Sequence, residues 1–475
     1  MTPVGAGVFV QLPKRADVIN VGLPLFEDSL KAQSVAVVGT EWRIPGRGKE
    51  SVVAALARLW GPKSKLIETA NAEVLSRLNR GRPMLRAIER AGAVIPEMSE
   101  RTLLHCGPAI RWSEMCDPLR RSLTAAVVVE GWAQNAEDAA CLLAADSVEL
   151  KPANEHSVVL PMATVIGPST PVYVVENDIG STRAYSSINQ GAGAVQWFGV
   201  NSAAAVERLA FIRDTIGPIL AETLRRSGPI DILSLVAQGV LMGDDVHLRV
   251  QATTNLLLKE LLPFLVQSQH GRLADVAEFL SRNHMMFLNV AMAAAKSLVD
   301  AAATVQNASI VTTMARNGTS YGIRLAGVSD RWFLASAPSV QDALYYPGFG
   351  PEVSARDIGD SAVLELVGLG GAAAANSPAV AAILGGRMAD ARSATERMRR
   401  ICAGESTRFR MPFLENAGTP VGVDVRRVVE FSITPGVSTG IIHATDGVGQ
   451  IGAGVAWAPL KCFTDALLEL DARIV

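Results

Sequence analysis

Six histidines are the side chains of this sequence best placed to move a proton near neutral pH. One of them, His247, stands in the run Gly243-Asp244-Asp245-Val246-His247-Leu248-Arg249. Read as the start of a helix, this run puts Asp244 and His247 three residues apart on one face, with Asp244 orienting the imidazole as an acid or base. The same run also has a structural reading, in which Asp244 caps the helix and Asp245 pairs with Arg249 four residues on. The histidines form no H-x-x-H or H-E-x-x-H pair, so no metal site is expected from spacing. His105 and Cys106 are adjacent, but neighbours in a strand point to opposite faces, so Cys106 reads as a buried structural thiol and not a base-activated nucleophile.

A second group of residues is polar and sits beside glycines, where the backbone can come close to a ligand. It comprises Arg111 in GPAIRW, Glu130 in EGW, Asn189 in SINQGAG, Arg316 and Asn317 in ARNG, Asp360 in GDS, Asp424 and Arg426 in VDVRR, and the glycines of GVGQIGAG at 447–454. Each alone is an ordinary turn; together they predict an anion-binding cleft. Residues 447–452 also spell G-x-G-x-x-G. That fingerprint requires a strand before it and a helix after it, to present N–H groups to a pyrophosphate. Here AGVAWA follows, which is β-like, so a dinucleotide cofactor is not expected, nor any other cofactor. A backbone cradle for a small anion, or a tight strand connection without a ligand, remain as the two readings.

The elements that must position these residues are read from hydrophobic period and turn chemistry. Strands at 18–21 and 35–38 flank a short helix at 24–33, a Rossmann-like βαβ unit. After Trp42, helices are expected over 49–60 and 71–91. Short β runs, including TLLHC, AAVVVEGW, TPVYVVEN and AVQWFG, then alternate with loops and a helix near 135–145. Between 203 and 305 the 3.6-residue period dominates. Strands resume from 310 (SIVTTMA, YGIRLAGV, RWFLAS, VRRVVEFSI), with helices near 378–403. The predicted fold is α/β and multidomain: a Rossmann-like N-terminal region (1–100), a second α/β domain (101–200), a central helical domain (201–307) and a C-terminal α+β domain (308–475).

Composition narrows the function class. Of 475 residues, 49% are hydrophobic and 19% charged, as in globular proteins with sizeable cores. A net charge of -2 and the lack of a basic run argue against a nucleic-acid partner. The N-terminal stretch lacks the layout of a signal peptide. The uncharged run 366–386 is broken by Asn376, Ser377, Pro378 and several glycines, so it reads as a buried loop and helix pair, with no membrane association. Five cysteines without a C-x-x-C pair predict reduced thiols and a cytoplasmic location. Asn289, within the apolar helix that follows Met285 and Met286, needs a partner if it is buried.

Several blocks resemble, in order, the YlbE-like family encoded beside FdrA-like proteins: residues 103–115, 130–133, 174–177, 237–247, 315–333, 359–373 and 422–454. The resemblance covers most of the chain. It implies a subunit of oxamate carbamoyltransferase, converting oxalurate and phosphate to oxamate and carbamoyl phosphate in the catabolism of allantoin and other purine-derived nitrogen. An FdrA-like subunit, and a third small subunit, are the implied partners; a homo-oligomer is also open. For such anionic ligands Arg111, Arg316 and Arg426 are candidates to hold phosphate or carboxylate. His247 oriented by Asp244 is the candidate acid or base, while Asn317, Asn189 and the loop of Gly449, Gln450 and Gly452 would polarise a carbonyl or hold phosphate. The chain departs from the family pattern at Glu155-His156, at Leu160-Pro161-Met162-Ala163 and at Gln190, where Glu is expected, and it carries Cys106 where relatives have Ala. Two alternatives stay open: a non-catalytic scaffold or ligand-binding subunit, and a paralogous amidohydrolase or acyltransferase acting on another small acid.

Overall fold

The strands of this chain form several small sheets of two to four strands among the described residues. The computed structural model describes residues 17–40, 44–340 and 342–474; Trp42 and the opening residues 1–16 lie outside them. Near the N-terminus, parallel strands Asp17–Val21 and Ala36–Thr40 enclose the helix Pro24–Ala32, giving the expected βαβ unit. A four-stranded sheet runs Val328–Ser336, Ser320–Leu325, Val311–Asn317, Ile358–Gly359. A three-stranded one runs Asp342–Tyr345, Gln450–Trp457, Gly436–Ile442. The fold is mixed α/β.

The central segment is helical, and its helix Met286–Ala303 is the hub. This helix is long and apolar enough to cross a bilayer, yet 89% of it is buried inside the chain, against strands Pro171–Asn177 and Thr182–Ser187 and helix Ser64–Arg80. Each fully buried Leu, Val or Phe side chain on it contributes about 1.5–3 kcal/mol of burial free energy. Its buried Asn289 finds the partners it needs: Nδ2 donates to the Ser187 carbonyl (2.7 Å) and Oδ1 accepts from Asn189 (3.0 Å).

Hydrogen bonding joins segments that the sequence separates. Strand Pro83–Arg90 pairs with Pro171–Asn177 on one side and Ile230–Asp231 on the other, so one sheet draws on residues either side of 100 and of 200. One hydrophobic core extends from Val52 to Ile474.

Four local expectations are corrected, the first being AVQWFG, which is not a β run: Gln196–Phe198 is a 3-10 turn whose Gly199 carries φ +73. The helix expected at 71–91 ends at Arg80, because Gly81 closes it, and residues 83–90 become a strand by pairing on both edges. AAVVV is not a strand but the end of helix Asp117–Val129, opened by Asp117 and Pro118; burial of Leu119, Leu123, Ala126 and Val127 outweighs the modest helix propensity of valine. VRRVVEF is the helix Val425–Phe431, because the Asp424 carboxylate caps it by accepting the Arg426 amide at 2.9 Å.

Candidate functional site

His247 is positioned by turns and not by a helix face. The segment 242–250, between helices Ile232–Leu241 and Gln251–Leu265, is not helical, and next to His247 the buried Val246 takes φ +62. A β-branched residue in that region costs on the order of 1–3 kcal/mol and persists only where the surroundings impose it. Asp245 imposes it here: its carboxylate accepts the amides of His247 (3.1 Å), Leu248 (3.4 Å) and Arg249 (2.8 Å). Asp244 does not orient the imidazole. It accepts the amides of Ala252 (3.2 Å) and Thr253 (2.8 Å) at the start of the next helix and meets Arg249 at 3.6 Å, so its pairing with His247 is corrected; the helix it was expected to cap does not form at 243–249, and the ion pair of Arg249 is with Asp244 and not Asp245.

The partner of His247 comes from 118 residues away. Nδ1 lies 2.8 Å from Oε1 of Glu365, on the short helix Val363–Leu366, and both side chains are buried. The same oxygen accepts the amides of Gly371 (3.2 Å) and Ser438 (3.1 Å). An oxygen accepting from two amides accepts from Nδ1 as well, which assigns a proton to Nδ1, so that in the neutral ring the lone pair is on Nε2. Gly370 makes room for this arrangement. At φ +56, a Cβ there would lie 2.2 Å from Glu365 Oε1 and 3.0 Å from His247 Nδ1.

His247 opens onto a cavity of about 270 Å³. Its polar walls are His247, Asn283, His284, Ser361, Thr439 and Gln450, set among Met162, Trp197, Phe198 and Leu288. A second buried unit braces it. Arg316 grips Asp357 with Nε (2.7 Å) and one Nη (3.1 Å), and Asp357 accepts the Thr439 hydroxyl at 2.9 Å. Behind Ser361, Asp360 accepts the amides of Gly107 (2.8 Å) and Leu160 (3.0 Å), while burial pushes its carboxyl up to about 7.

The other expected residues take up different places. Asn189 supports the cavity wall: it accepts the Gly191 amide and its carbonyl accepts from Asn283 (2.8 Å). Asn317 shapes the turn after its strand, donating to the Pro108 carbonyl and accepting from Thr319 and Ser320. Arg111 is a surface residue beside Glu114. Arg426 is buried against Asp424 and Glu68 (2.7 Å each), its guanidinium 3.9 Å from the Trp60 ring centre, with no free face for an anion.

The glycine-rich stretch is a hairpin. His443 donates to the Gly449 carbonyl at the turn, Gln450–Trp457 pairs with Gly436–Ile442, and a Cβ on Gly452 would lie 2.4 Å from the Leu344 carbonyl oxygen of the third strand. Gly452 therefore serves strand packing, and of Gly449, Gln450 and Gly452 only Gln450 reaches the cavity. Cys106 is buried, and burial raises its thiol well above the usual range, as an inert structural cysteine requires. Among the described residues no group of three potential metal ligands comes together.

The sequence reading missed Glu365, Thr439 and His284, while Ser361 belongs to the GDS turn it had singled out. Glu365 had a signal: it is the one acid in the apolar run AVLELVGLGG. It also missed Arg208, in a neighbouring cavity of about 480 Å³ that shares Gly191, Ala192 and Asn283 with the first. Arg208 donates to the Gln190 carbonyl and lies against Phe279.

Comparison with known proteins gives this geometry a family. Residues 148–361 match the family model described as oxamate carbamoyltransferase subunit AllG. The oxamate carbamoyltransferase subunit AllG of Escherichia coli K12 is 39% identical over 409 residues, covering 85% of this chain and 97% of the relative. The chain belongs to the AllG family. The uncharacterised YahG of the same organism is similar to this AllG-family chain at 36% identity over 455 residues, covering 95% of this chain and 96% of that protein. The crystal structure of a conserved Enterococcus faecalis V583 protein of unknown function superposes with a TM-score of 0.84 at 35% identity, covering 86% of this chain and 98% of that one. The family expected from the sequence blocks is thus the one found. Because its E. coli member is named as a subunit, AllG proteins are related to a component of a multi-subunit enzyme. Within the AllG match lie His247, Arg316, Asp357 and Ser361, and Glu365 follows just beyond its end.

Proposed function

We propose that this chain is the subunit of an oxamate-carbamoyltransferase-like enzyme that carries the proton-transfer site, acting on oxalurate and phosphate together with an FdrA-like partner. The observation that carries the reading is the buried His247–Glu365 pair at 2.8 Å opening onto a cavity of small-molecule size, in a chain of the AllG family. A phosphate oxygen attacks the carbamoyl carbon of oxalurate, and the bond from that carbon to the oxamate nitrogen breaks. The proton that hydrogen phosphate brings ends on that nitrogen, so the products are oxamate and carbamoyl phosphate.

Nε2 of His247 takes the proton from phosphate and delivers it to the leaving nitrogen. Glu365 holds the ring and stabilises the imidazolium formed in between. Arg208, beyond the shared wall, is the candidate to meet an anionic end. Five free cysteines accord with a cytoplasmic location.

The test is reconstitution with the partner subunits, followed by ³¹P NMR in oxalurate and phosphate. Carbamoyl phosphate should accumulate with oxamate in equal amounts. An intact assembly that forms neither overturns the reading, and release of ammonia without carbamoyl phosphate replaces it with an amidohydrolase.

A further inference from the structure

Two side chains on the cavity wall spend a proton on the protein, which leaves each with an acceptor oxygen. The Thr439 hydroxyl donates to Asp357 Oδ1 at 2.9 Å, and Arg316, gripping both oxygens of that carboxylate, keeps it an acceptor. Gln450 Nε2 donates to the Gly452 carbonyl at 3.1 Å. A carbonyl oxygen can only accept, so this bond fixes the orientation of the amide and leaves Oε1 free to accept, beside one further N–H on Nε2. His247, with its proton on Nδ1 toward Glu365, presents the lone pair of Nε2. Three groups on one cavity therefore offer acceptors to whatever enters.

We infer that this wall is a recognition site for an N–H-bearing group, a primary amide or ureido terminus, and that Thr439 and Gln450 are its specificity-determining residues. The inference rests on the proposed reaction for the choice of ligand and assigns the ligand's orientation within it. A carboxylate oxygen placed against Thr439 Oγ1 and Gln450 Oε1 would set lone pairs against lone pairs, whereas an NH2 group supplies two donors. The amine end of the ligand points inward to Thr439 and Gln450, and the anionic end points away from them. A buried acceptor left without its donor costs more than the bond itself contributes, so such a wall rejects ligands with oxygen in place of the amine.

Calorimetry on the full chain tests this with oxamate and with monomethyl oxalate, which carries the same charge and an ester oxygen in place of the NH2. Oxamate should bind at least tenfold more tightly, on the order expected for loss of a buried donor. Thr439→Val and Gln450→Met should each weaken oxamate by about tenfold and leave monomethyl oxalate unchanged. Equal weakening of both ligands, no weakening of either, a wild-type preference for the ester, or no binding of oxamate would each overturn the inference. Turnover is read separately: oxamate binding that depends on Thr439 and Gln450 in an assembly that makes no carbamoyl phosphate sinks the reaction and leaves the amine site standing. Turnover with no such dependence does the reverse.

Discussion

His247 and Glu365 are 118 residues apart in sequence and 2.8 Å apart in space, and neither side chain is open to bulk solvent. The pairing is possible because the irregular segment 242–250 closes on the turn 367–369 and on Gly370, the first residue of the 3-10 helix Gly370–Asn376, which leaves no room for a Cβ.

Glu365→Gln tests whether the carboxylate acts through the histidine. The amide keeps the shape but cannot stabilise the imidazolium. We expect kcat of the assembled enzyme to fall by about 10²-fold while KM for oxalurate and oxamate affinity stay near wild type. A matching rise in KM would show instead that Glu365 shapes the binding cavity.

The two arginines that the structure moves away from the cavity give opposite expectations. Arg426→Ala leaves Asp424 buried and uncompensated, which costs about 3–5 kcal/mol and should lower Tm markedly. Its folded fraction should keep the wild-type KM. Arg111→Ala, at an exposed pair with Glu114, should change neither Tm nor KM. A specific rise in KM for either variant would return that arginine to the site.

How much of this was legible in the sequence follows from the range of each interaction. The βαβ unit and the helical centre rest on local period and residue type, and could be read, as could the choice of His247 as a residue that now lines the cavity. The partner of His247 could not, since nothing local to 243–249 reports Glu365, and the nearer Asp244 satisfies the same spacing rule while its carboxylate is spent on the first-turn amides of the next helix. AAVVV and VRRVVEF read as strands by composition, and tertiary burial and an Asp424 cap made them helices. The glycines at 447–452 looked like a ligand loop because strand packing and ligand approach place the same demand on a missing side chain.

Asp360 gives a pH signature of stability. Burial raises its folded-state value to about 7 from 3.8, so between those limits the folded chain holds a proton that the unfolded chain has released. Stability from this group is therefore greatest toward the acid end and is lost as pH rises through about 7. Thermal melts across that window should show this slope in the wild type and a flatter one in Asp360→Asn. Equal slopes would mean that Asp360 is ionised in the folded chain throughout.

The proposed reaction turns on His247 as the group that moves the proton. In the assembled enzyme with saturating oxalurate and phosphate, the single-turnover rate of carbamoyl phosphate formation by His247→Gln should fall by about 10²–10⁴-fold, the range that a positioned acid–base group contributes, with oxamate still bound. A His247→Gln assembly that forms carbamoyl phosphate at the wild-type rate would contradict it.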